Sequence, residues 1–375
     1  MSGAQPLTVL ADASALADGR RTAGIGRYAS SLLAALAERD DVVVHRYIPR
    51  RPPPRDSWAL RWLHAQPGLV AASLWHRPRL VHGMASDPGL GWPLDRQAVT
   101  VHDVIPWTET AVRPGSVTAR YLAFQRRRLR RCAAVIAVSD AVAAEACAAL
   151  QLEPRRVEVV PEGVGAVFTA AADVRDHELR AGCGVTAARY VLWVGSMRAH
   201  DHRKALDVLL DAVTSVGGDG PAVTLVLAGA PGAESQRLAS TATASGRPVI
   251  LTGYVDDPTL AALYRGAAVV ALPSRHEGFG LPLLEAMACG APVVAGAAGN
   301  LPELAGEAAL LVPPGDARSL AQALLEVLSD AAVRARLVGA GPRRAAPFTW
   351  ARAAEQTVAV YRRVAGAQGP ASASP

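Results

Sequence analysis

Short apolar runs alternate with amphipathic segments along this chain, and the alternation restricts the fold more than any other feature of the sequence. Such a pattern is typical of parallel β-strands joined by helices that cover the sheet. We predict a first series of strands, with a helix over residues 25–38 directly after its first member. These strands lie at 7–10, 42–47, 80–83, 99–102 and 134–138.

A second series of apolar runs follows in the other half of the chain. Its predicted strands lie at 190–195, 223–229, 249–253, 268–273, 292–295 and 310–312. Because 375 residues exceed the usual size of one domain, the two series predict an α/β protein with two doubly wound parallel sheets. Ligands bind beyond the carboxyl ends of such strands, so we expect the two domains to face each other across a cleft.

Domain boundaries are placed from the same pattern. The first domain is predicted to cover residues 1–170 and the second residues 171–350, followed by a helix over 350–365. Residues 366–375 carry no charge and are rich in Ala, Ser, Gly and Pro, so we predict a disordered tail.

The net charge of +6 is modest, and no basic stripe is interleaved with aromatic residues, so we do not expect nucleic-acid binding. An anionic membrane surface is the favoured partner of the basic residues. A basic run on a predicted helix consists of Arg126, Arg127, Arg128, Arg130 and Arg131. This run is either an ordinary solvated face or a patch for a membrane that carries the acceptor.

The four cysteines are widely spaced and form no Cys-x-x-Cys unit, so neither a disulfide framework nor a zinc site is predicted. His200, Asp201 and His202 are too close in sequence to share one coordination sphere, and we expect no metal ion. No window contains about 18 unbroken apolar residues. We therefore predict a cytoplasmic protein, either soluble or peripheral at the inner face of the membrane.

Glu277 and Glu285, with seven residues between them, form the most informative motif for function. Gly280, Pro282 and Gly290 predict a strand, a tight loop and a helix around them. Glycine permits the backbone geometry of a loop or of a helix stop, and proline suits the first helical turn.

The amides of Phe279, Gly280 and Leu281 would lie at the N-terminus of this helix, where an anion such as a phosphate is favoured. Glu277 would stand in the loop beside them, and Glu285 would be close enough to reach a polyol hydroxyl or a ribose. A glutamate near a helix N-terminus is also often a simple partner of the helix dipole.

Other candidate residues follow predicted strands, at the edge where parallel sheets bind ligands. They are Gly24, Gly26, Arg27 and Tyr28, then His102 and Asp103, then Gly195, Ser196, Arg203 and Lys204, and finally Tyr254 and Val255. Each group also has an ordinary structural explanation, as a turn, a buried histidine or a solvated cation. Lys204 is the only lysine of the chain, which indicates a need for a compact ammonium group.

The sequence around the two glutamates resembles the retaining glycosyltransferases of family 4, whose signature is two glutamates at this spacing. The resemblance rests on Ala271-Leu-Pro-Ser, on Ala291-Pro-Val-Val-Ala-Gly and on Gly24-Ile-Gly-Arg-Tyr, and it extends over residues 12–361. It implies the GT-B fold, which has two Rossmann-like domains. Gly24-Ile-Gly-Arg-Tyr is similar to the mannosyltransferase-like branch of the family.

The resemblance also implies a role for each candidate residue. Glu277 would lie near the donor sugar, Glu285 would hold the ribose, and His102 would contact a sugar hydroxyl. The donor diphosphate would contact Gly24, Gly26, Gly195, Ser196, Arg203 and Lys204. The base of the donor would contact Tyr254 and Val255, and Asp103 would support His102.

The implied function is a retaining transfer of a hexosyl group from a nucleotide-diphosphate sugar to a hydroxyl of a glycan, a lipid-linked sugar or a small molecule. GDP-mannose is the first choice of donor, while UDP-glucose, UDP-N-acetylglucosamine and deoxysugar donors stay open. We expect a role in cell-envelope glycan biosynthesis, with no cofactor and no metal. Acceptor choice is assigned to loops at 50–78 and 105–120.

Two positions depart from the family pattern, since many members have arginine where Ser196 stands and Gly or Asn where Ala205 stands. Two other functions fit the same fold. One is a GT-B nucleotide-sugar 2-epimerase, and the other is a catalytically silent scaffold that binds nucleotide sugars. The presence of Glu277, His102 and Lys204 argues against the silent scaffold.

Overall fold

The structure is a computed structural model that describes residues 5–18, 24–51, 58–108, 113–197, 202–216, 223–232, 235 and 248–366. The chain forms two compact units, the first from Met1–Gly163 and Trp350–Pro375 and the second from Val164–Thr349. The division by contacts therefore follows Gly163, a few residues before the predicted boundary at residue 170. Val164 already pairs with Thr349 of the second unit.

The strands of the first unit are β1 (Leu7–Asp12), β2 (Val42–Tyr47), β3 (Leu80–Gly83), β4 (Gln97–Val101), β5 (Ala134–Ala137) and β6 (Val157–Val159). They form one parallel sheet in the order β2-β1-β3-β4-β5-β6. The five predicted strands are present. β6 was not predicted, because its three residues include Glu158 and make no apolar run.

Helices in the same part of the chain are α1 (Gly24–Ala37), α2 (Trp58–His76), α3 (Ile105–Thr108), α4 (Val117–Leu129) and α5 (Asp140–Leu150). The prediction of loops at 50–78 and 105–120 is wrong for α2, for α3 and for the start of α4. α2 contains Pro67 and is apolar on most of its faces, so it lacks the 3.6-residue period by which an amphipathic helix is recognised.

The strands of the second unit are β7 (Tyr190–Val194), β8 (Thr224–Ala228), β9 (Val249–Gly253), β10 (Val269–Leu272), β11 (Val293–Gly296) and β12 (Leu310–Val312). They form a second parallel sheet in the order β12-β11-β10-β7-β8-β9. All six agree with the predicted runs to within one or two residues. The order reverses between β7 and β10, and in such sheets the ligand site lies beyond the strand ends at this switch point.

Helices of the second unit are α6 (Asp176–Gly182), α7 (Leu206–Val216), α8 (Asp257–Gly266), α9 (Leu281–Ala288), α10 (Leu301–Ala305), α11 (Ala317–Ser329) and α12 (Ala331–Ala345). α7 and α11 pack on one face of the sheet in a cluster with Trp193 and Leu227 of the strands. This packing fixes the ends of β7 and β10, where the glutamate motif and the cation pair follow.

The last helix, α13 (Trp350–Gly366), belongs to the first unit and packs along α1. Tyr361 and Val358 of α13 are buried in the same apolar cluster as Leu32 of α1. Gly366 is helical, which corrects the predicted start of the tail, and residues 367–375 lie outside the described residues. No helix in the described part of the chain is long and apolar enough to cross a membrane.

Candidate active site

The loop between β10 and α9 contains the first glutamate of the motif. Gly280 is the N-cap of α9 and has φ +104°, a left-handed conformation that favours glycine. A Cβ atom at this position would lie 2.8 Å from Leu301 Cδ2, so a larger residue would also have to displace that side chain. No side chain caps α9 at Gly280, which is the condition under which the first amides of a helix favour an anion.

Glu277 accepts two short hydrogen bonds through Oε1, from Lys204 Nζ at 2.7 Å and from the Ser274 hydroxyl at 2.6 Å. Only 19% of the Lys204 side chain and 16% of the Glu277 side chain are exposed. Burial raises the pKa of Glu277, but the charges of Lys204 and Arg203 and the two hydrogen bonds outweigh it, so the pKa is lowered. Glu277 is therefore an ionised carboxylate at neutral pH.

Gly299 and Asn300 hold the Glu277 loop from the other side. The Asn300 amide donates to the Glu277 carbonyl at 3.1 Å, and Asn300 Nδ2 donates to the Phe279 carbonyl at 2.9 Å. Gly299 has φ +55°, and a Cβ atom there would overlap the Glu277 carbonyl oxygen. This pair was not predicted, although Gly-Asn directly before Leu301-Pro is a turn signal that could have indicated it.

A 3₁₀ turn, His202–Lys204, carries the cation pair immediately before α7. Arg275 contacts this turn twice, since its amide donates to the Arg203 carbonyl at 2.6 Å and its Nη1 donates to the His202 carbonyl at 2.8 Å. Ala205 follows the turn with φ +48°. The position where many family members have Gly or Asn is thus a left-handed residue, which alanine occupies with strain.

Gly195 and Ser196 follow β7, as predicted from the strand pattern. The Gly195 amide donates to the Ala228 carbonyl at 3.0 Å, and a Cβ atom at the neighbouring Gly229 would overlap the Gly195 carbonyl. Ser196 Oγ is buried and has no hydrogen-bond partner among the described residues. An unsatisfied buried hydroxyl at a strand end is compatible with the predicted phosphate contact.

Glu285 projects from α9 and is buried. The Tyr264 hydroxyl of α8 donates to Glu285 Oε2 at 3.1 Å. The two glutamates therefore have different surroundings, Glu277 with a cation and Glu285 with a phenol. Tyr254, which follows β9, is 56% exposed, and the contacts predicted for Glu285, Tyr254 and Val255 with a nucleotide stay predictions.

His102 of the first unit is buried just after β4, and both of its ring nitrogens face protein groups. Nε2 lies 2.9 Å from the Met84 carbonyl oxygen, so Nε2 carries a proton and donates it. Nδ1 lies 3.4 Å from Glu162 Oε1. Glu162 was not predicted, because no residue pattern indicated it. Asp103, the predicted support of His102, accepts from the Ile105 amide at 3.1 Å.

A buried chain of hydrogen bonds lies beside His102, whose ring packs edge-on against Tyr28 at a centroid distance of 4.7 Å. The Tyr28 hydroxyl and His82 Nε2 each lie 2.8 Å from Thr100 Oγ1, and His82 Nδ1 lies 2.7 Å from the Tyr361 hydroxyl. Burial lowers the pKa of His82 to about 3, with a further contribution from His102, so His82 is neutral.

The two predicted glycines of this unit differ in environment. Gly24 begins α1 and is exposed, and a Cβ atom there would meet no described atom within 4 Å. Gly26 is buried within α1. Packing against the described residues therefore does not explain Gly24, and its predicted contact with a bound group stays a prediction.

In the described residues, no group of three His, Cys, Asp or Glu side chains is arranged to hold a metal ion. His200 and Asp201 lie outside those residues. The four cysteines are free, and Cys132 and Cys289 are buried.

Two family models match the chain, Glycosyltransferase Family 4 over residues 22–166 and Glycosyl transferases group 1 over residues 188–330. D-inositol 3-phosphate glycosyltransferase of Jonesia denitrificans is 31% identical over 320 residues, which cover 80% of this chain and 70% of that protein. The chain belongs to glycosyltransferase family 4. Like other members of family 4, it is a hexosyltransferase.

One further relative and one solved structure are similar to this chain. MMP alpha-(1->4)-mannosyltransferase of Mycolicibacterium hassiacum is 35% identical over 251 residues, covering 65% of this chain and 57% of that protein. Sucrose-phosphate synthase from Thermosynechococcus elongatus superimposes with a TM-score of 0.78 at 23% identity, over 97% of this chain and 100% of that one. The likeness shows that this family 4 chain has the GT-B fold, as its sequence predicts.

Proposed function

We propose that the chain is a retaining enzyme that transfers mannose from GDP-mannose to a hydroxyl of a glycan, a lipid-linked sugar or a small molecule. The proposal rests on one observation. The Glu277 carboxylate, which accepts hydrogen bonds from Lys204 and Ser274, lies in the loop that precedes α9, and no side chain caps the N-terminus of that helix. A nucleotide sugar presents a diphosphate next to a sugar ring. Cations and amides beside a fixed carboxylate match those two parts.

In the proposed reaction, the bond between the anomeric carbon and the diphosphate oxygen breaks while the bond to the acceptor oxygen forms on the same face of the sugar. The leaving diphosphate takes the proton of the acceptor hydroxyl, so no side chain has to act as a general base. Lys204, Arg203 and the first amides of α9 stabilise the negative charge of the diphosphate. Glu277 holds sugar hydroxyls as positive charge develops on the ring.

These groups neutralise the charge of the leaving diphosphate, for which other transferases use a divalent cation. The proposal therefore includes no metal and no cofactor. Ser196, with its unsatisfied hydroxyl, is assigned to the diphosphate together with Gly195. The other assignments follow the family: Glu285 to the ribose, Tyr254 and Val255 to the base, and His102, Gly24 and Gly26 to the sugar and diphosphate. The likeness to a mannosyltransferase favours mannose. The proposal keeps the role in envelope glycan biosynthesis that the sequence resemblance implies.

The test is a comparison of donors by thermal unfolding of the full chain, with GDP-mannose, UDP-glucose and UDP-N-acetylglucosamine at equal concentrations. At equal concentration, a ligand that binds only the folded protein raises the melting temperature more, the more tightly it binds. We expect the largest rise with GDP-mannose and a smaller rise in the variant Lys204→Met. Transfer of mannose with retained α configuration, followed by NMR of the product, then tests the stereochemistry.

Two outcomes would overturn the proposal. A larger rise with a UDP-sugar than with GDP-mannose would show that the donor is wrong. Release of an epimerised nucleotide sugar without any acceptor would show that the chain is a 2-epimerase.

A further inference from the structure

The solvent-facing side of α2 is mostly apolar, with His64 as the exposed polar residue among its described side chains. The exposed apolar residues, most of them three or four positions apart, are Leu60, Leu63, Pro67, Ala71, Leu74 and Trp75. Trp75 is 84% exposed and Leu74 is 65% exposed. A single exposed leucine is ordinary, whereas a continuous apolar stripe indicates an interaction surface.

α4 packs beside α2, and its exposed side alternates basic and apolar residues. These residues, which extend just beyond both ends of the helix, are Arg113, Val117, Arg120, Phe124, Arg127 and Arg131. Phe124 of this side packs against α2, because it is 42% exposed while its ring lies 5.8 Å from the ring of the buried Trp62. We call the exposed residues of α2 and α4 together the α2–α4 surface.

The α2–α4 surface differs from the basic run recognised in the sequence. Arg128 turns inward, donating to the Gly89 carbonyl and lying 5.5 Å from the centre of the Phe124 ring. Arg130 donates to the Leu150 carbonyl at 2.8 Å. Of the five arginines in that run, Arg127 and Arg131 are the exposed ones, and the other basic contributions come from outside it.

Acidic residues are missing from the sequence segments that form this surface. The chain contains 33 Asp and Glu residues, yet residues 57–86 and 110–139 contain none. An apolar stripe with basic residues beside it is complementary to an interface whose headgroups are anionic and whose interior is apolar. Because a bilayer of anionic lipids offers an apolar interior directly beneath negative headgroups, we take a lipid surface as the partner.

We propose that the α2–α4 surface docks the enzyme on an anionic lipid bilayer. Leu60, Leu63, Leu74 and Trp75 enter the boundary between headgroups and acyl chains, and the exposed arginines contact lipid phosphates. The docking is independent of the donor, because none of these residues belongs to the candidate active site.

The experiment measures binding of the full chain to sedimented vesicles. One set of vesicles is phosphatidylcholine, and the other contains equal parts of phosphatidylcholine and phosphatidylglycerol. We expect binding to the anionic vesicles only, and weaker binding at high salt because salt screens the attraction. The double variant Arg120→Gln/Arg127→Gln should lose on the order of thirty-fold in partition coefficient, since each basic residue contributes about a factor of five.

The matched control is Arg155→Gln/Arg175→Gln, which removes the same charge from exposed positions elsewhere and should bind like the wild type. Leu63→Ser/Trp75→Ser should also weaken binding about tenfold or more without lowering the melting temperature, because both residues are exposed. Equal binding to both vesicle types, or equal loss in the control, would overturn the proposal. So would a dimer in light scattering that Leu63→Ser/Trp75→Ser dissociates, because the stripe would then be a protein interface.

A separate observation concerns Arg275, which links the loop of Glu277 to the turn of Lys204. Besides its bonds to the carbonyls of His202 and Arg203, its guanidinium contacts Asp207 of α7, with Nη2 3.2 Å from Oδ2. The side chains of this ion pair are 37% and 54% exposed, so the pair itself adds little stability.

We further propose that Arg275 is a positioning residue that fixes the turn carrying Lys204. This inference rests on the proposed function. Misplacing a group that acts on the leaving diphosphate lowers kcat more than it changes the KM of the donor. We expect Arg275→Ala to reduce kcat with GDP-mannose on the order of tenfold or more, with little change in KM.

Two controls separate the carbonyl contacts from the ion pair. Asp207→Asn removes the charge of the partner while the bonds to the turn stay, and Arg175→Ala removes an exposed arginine of the same unit, so both should retain kcat. Hydrogen exchange of residues 202–207 should accelerate in Arg275→Ala alone. Unchanged exchange, or an equal loss of kcat in Asp207→Asn, would overturn the inference, whereas faster exchange in a protein that binds no nucleotide sugar would overturn only the proposed function.

Discussion

Lys204 Nζ lies 2.7 Å from Glu277 Oε1, so the only lysine of the chain is paired with the first glutamate of the family motif. The pair connects the turn before α7 to the loop before α9. Because both side chains are largely buried, each charge depends on the other for compensation. The candidate leaving-group cation is thus held in place before any substrate arrives.

Replacing Lys204 by methionine should therefore affect both rate and pH dependence. We expect kcat to fall on the order of a hundredfold to a thousandfold, since a preorganised charge is lost. In the wild type, the lowered pKa keeps Glu277 ionised until the pH falls through that pKa. Without Lys204, burial raises the pKa, so the acidic limb of the kcat/KM profile should move to higher pH. An unchanged limb in Lys204→Met would contradict the assignment, and Arg175→Ala is the control.

Ala205 provides a test of backbone strain beside the cation pair. Its left-handed φ of +48° costs alanine about 1 to 2 kcal/mol, whereas glycine adopts it freely. Because Ala205 is also buried, glycine loses the packing of one methyl group, about 0.8 kcal/mol. Ala205→Gly should therefore change the free energy of unfolding by less than about 1 kcal/mol. Ala205→Val, whose branched side chain resists this φ, should lower the free energy of unfolding by at least about 2 kcal/mol, measured by urea unfolding. Equal free energies of unfolding for the two variants would show that Ala205 is not strained.

His82 should make the stability of the first unit depend on pH. Its pKa falls from 6.5 to about 3 on folding, so below pH 6.5 the unfolded chain takes up a proton that the folded chain does not. The stabilisation is fully present above pH 6.5 and declines by about 1.4 kcal/mol per pH unit as the pH falls toward 3. Urea unfolding at pH 7 and pH 5 should show this slope in the wild type and in Tyr361→Phe, which keeps the histidine, but a smaller slope in His82→Gln.

Asp176 and Arg265 form a two-bonded ion pair between α6 and α8, with side chains only 12% and 9% exposed. Asp176→Asn should destabilise the second unit by about 3 to 5 kcal/mol, because Arg265 would be left buried without its counter-charge. Asp173→Asn removes the partner of Arg175 in a pair whose side chains are 36% and 60% exposed, and it should cost less than about 1 kcal/mol. Similar losses in the two variants, measured by thermal unfolding, would show that burial does not decide the contribution.

Strands of the two sheets could be predicted from the sequence because parallel strands are buried on both faces and appear as apolar runs. The same reasoning fails for α2, whose exposed side is also apolar, so that burial and exposure leave no period in its sequence. It fails again for β6, an edge strand that pairs with β5 and contains Glu158. Apolar runs in a sequence indicate which segments are buried. The structures of α2 and β6 depend instead on neighbours that are distant in sequence.

The candidate site was predictable where local backbone geometry demands a residue type, as at Gly280. Partnerships across the fold were not predictable. Glu162 lies beside His102 because two strand ends meet, and Asn300 holds the Glu277 loop from a different connection. The left-handed conformation of Ala205 was visible in the sequence only as a departure from Gly or Asn, and the structure supplies its physical reason.

The position of α13 in the first unit has a consequence for how the chain is made. The residues of α13 leave the ribosome only after the whole second unit has been synthesised, and until then Leu32 and Leu36 of α1 lack the apolar cover that α13 provides. The second unit is continuous in sequence and can bury its own core first. The half of the protein that is synthesised first is therefore the half that finishes folding last.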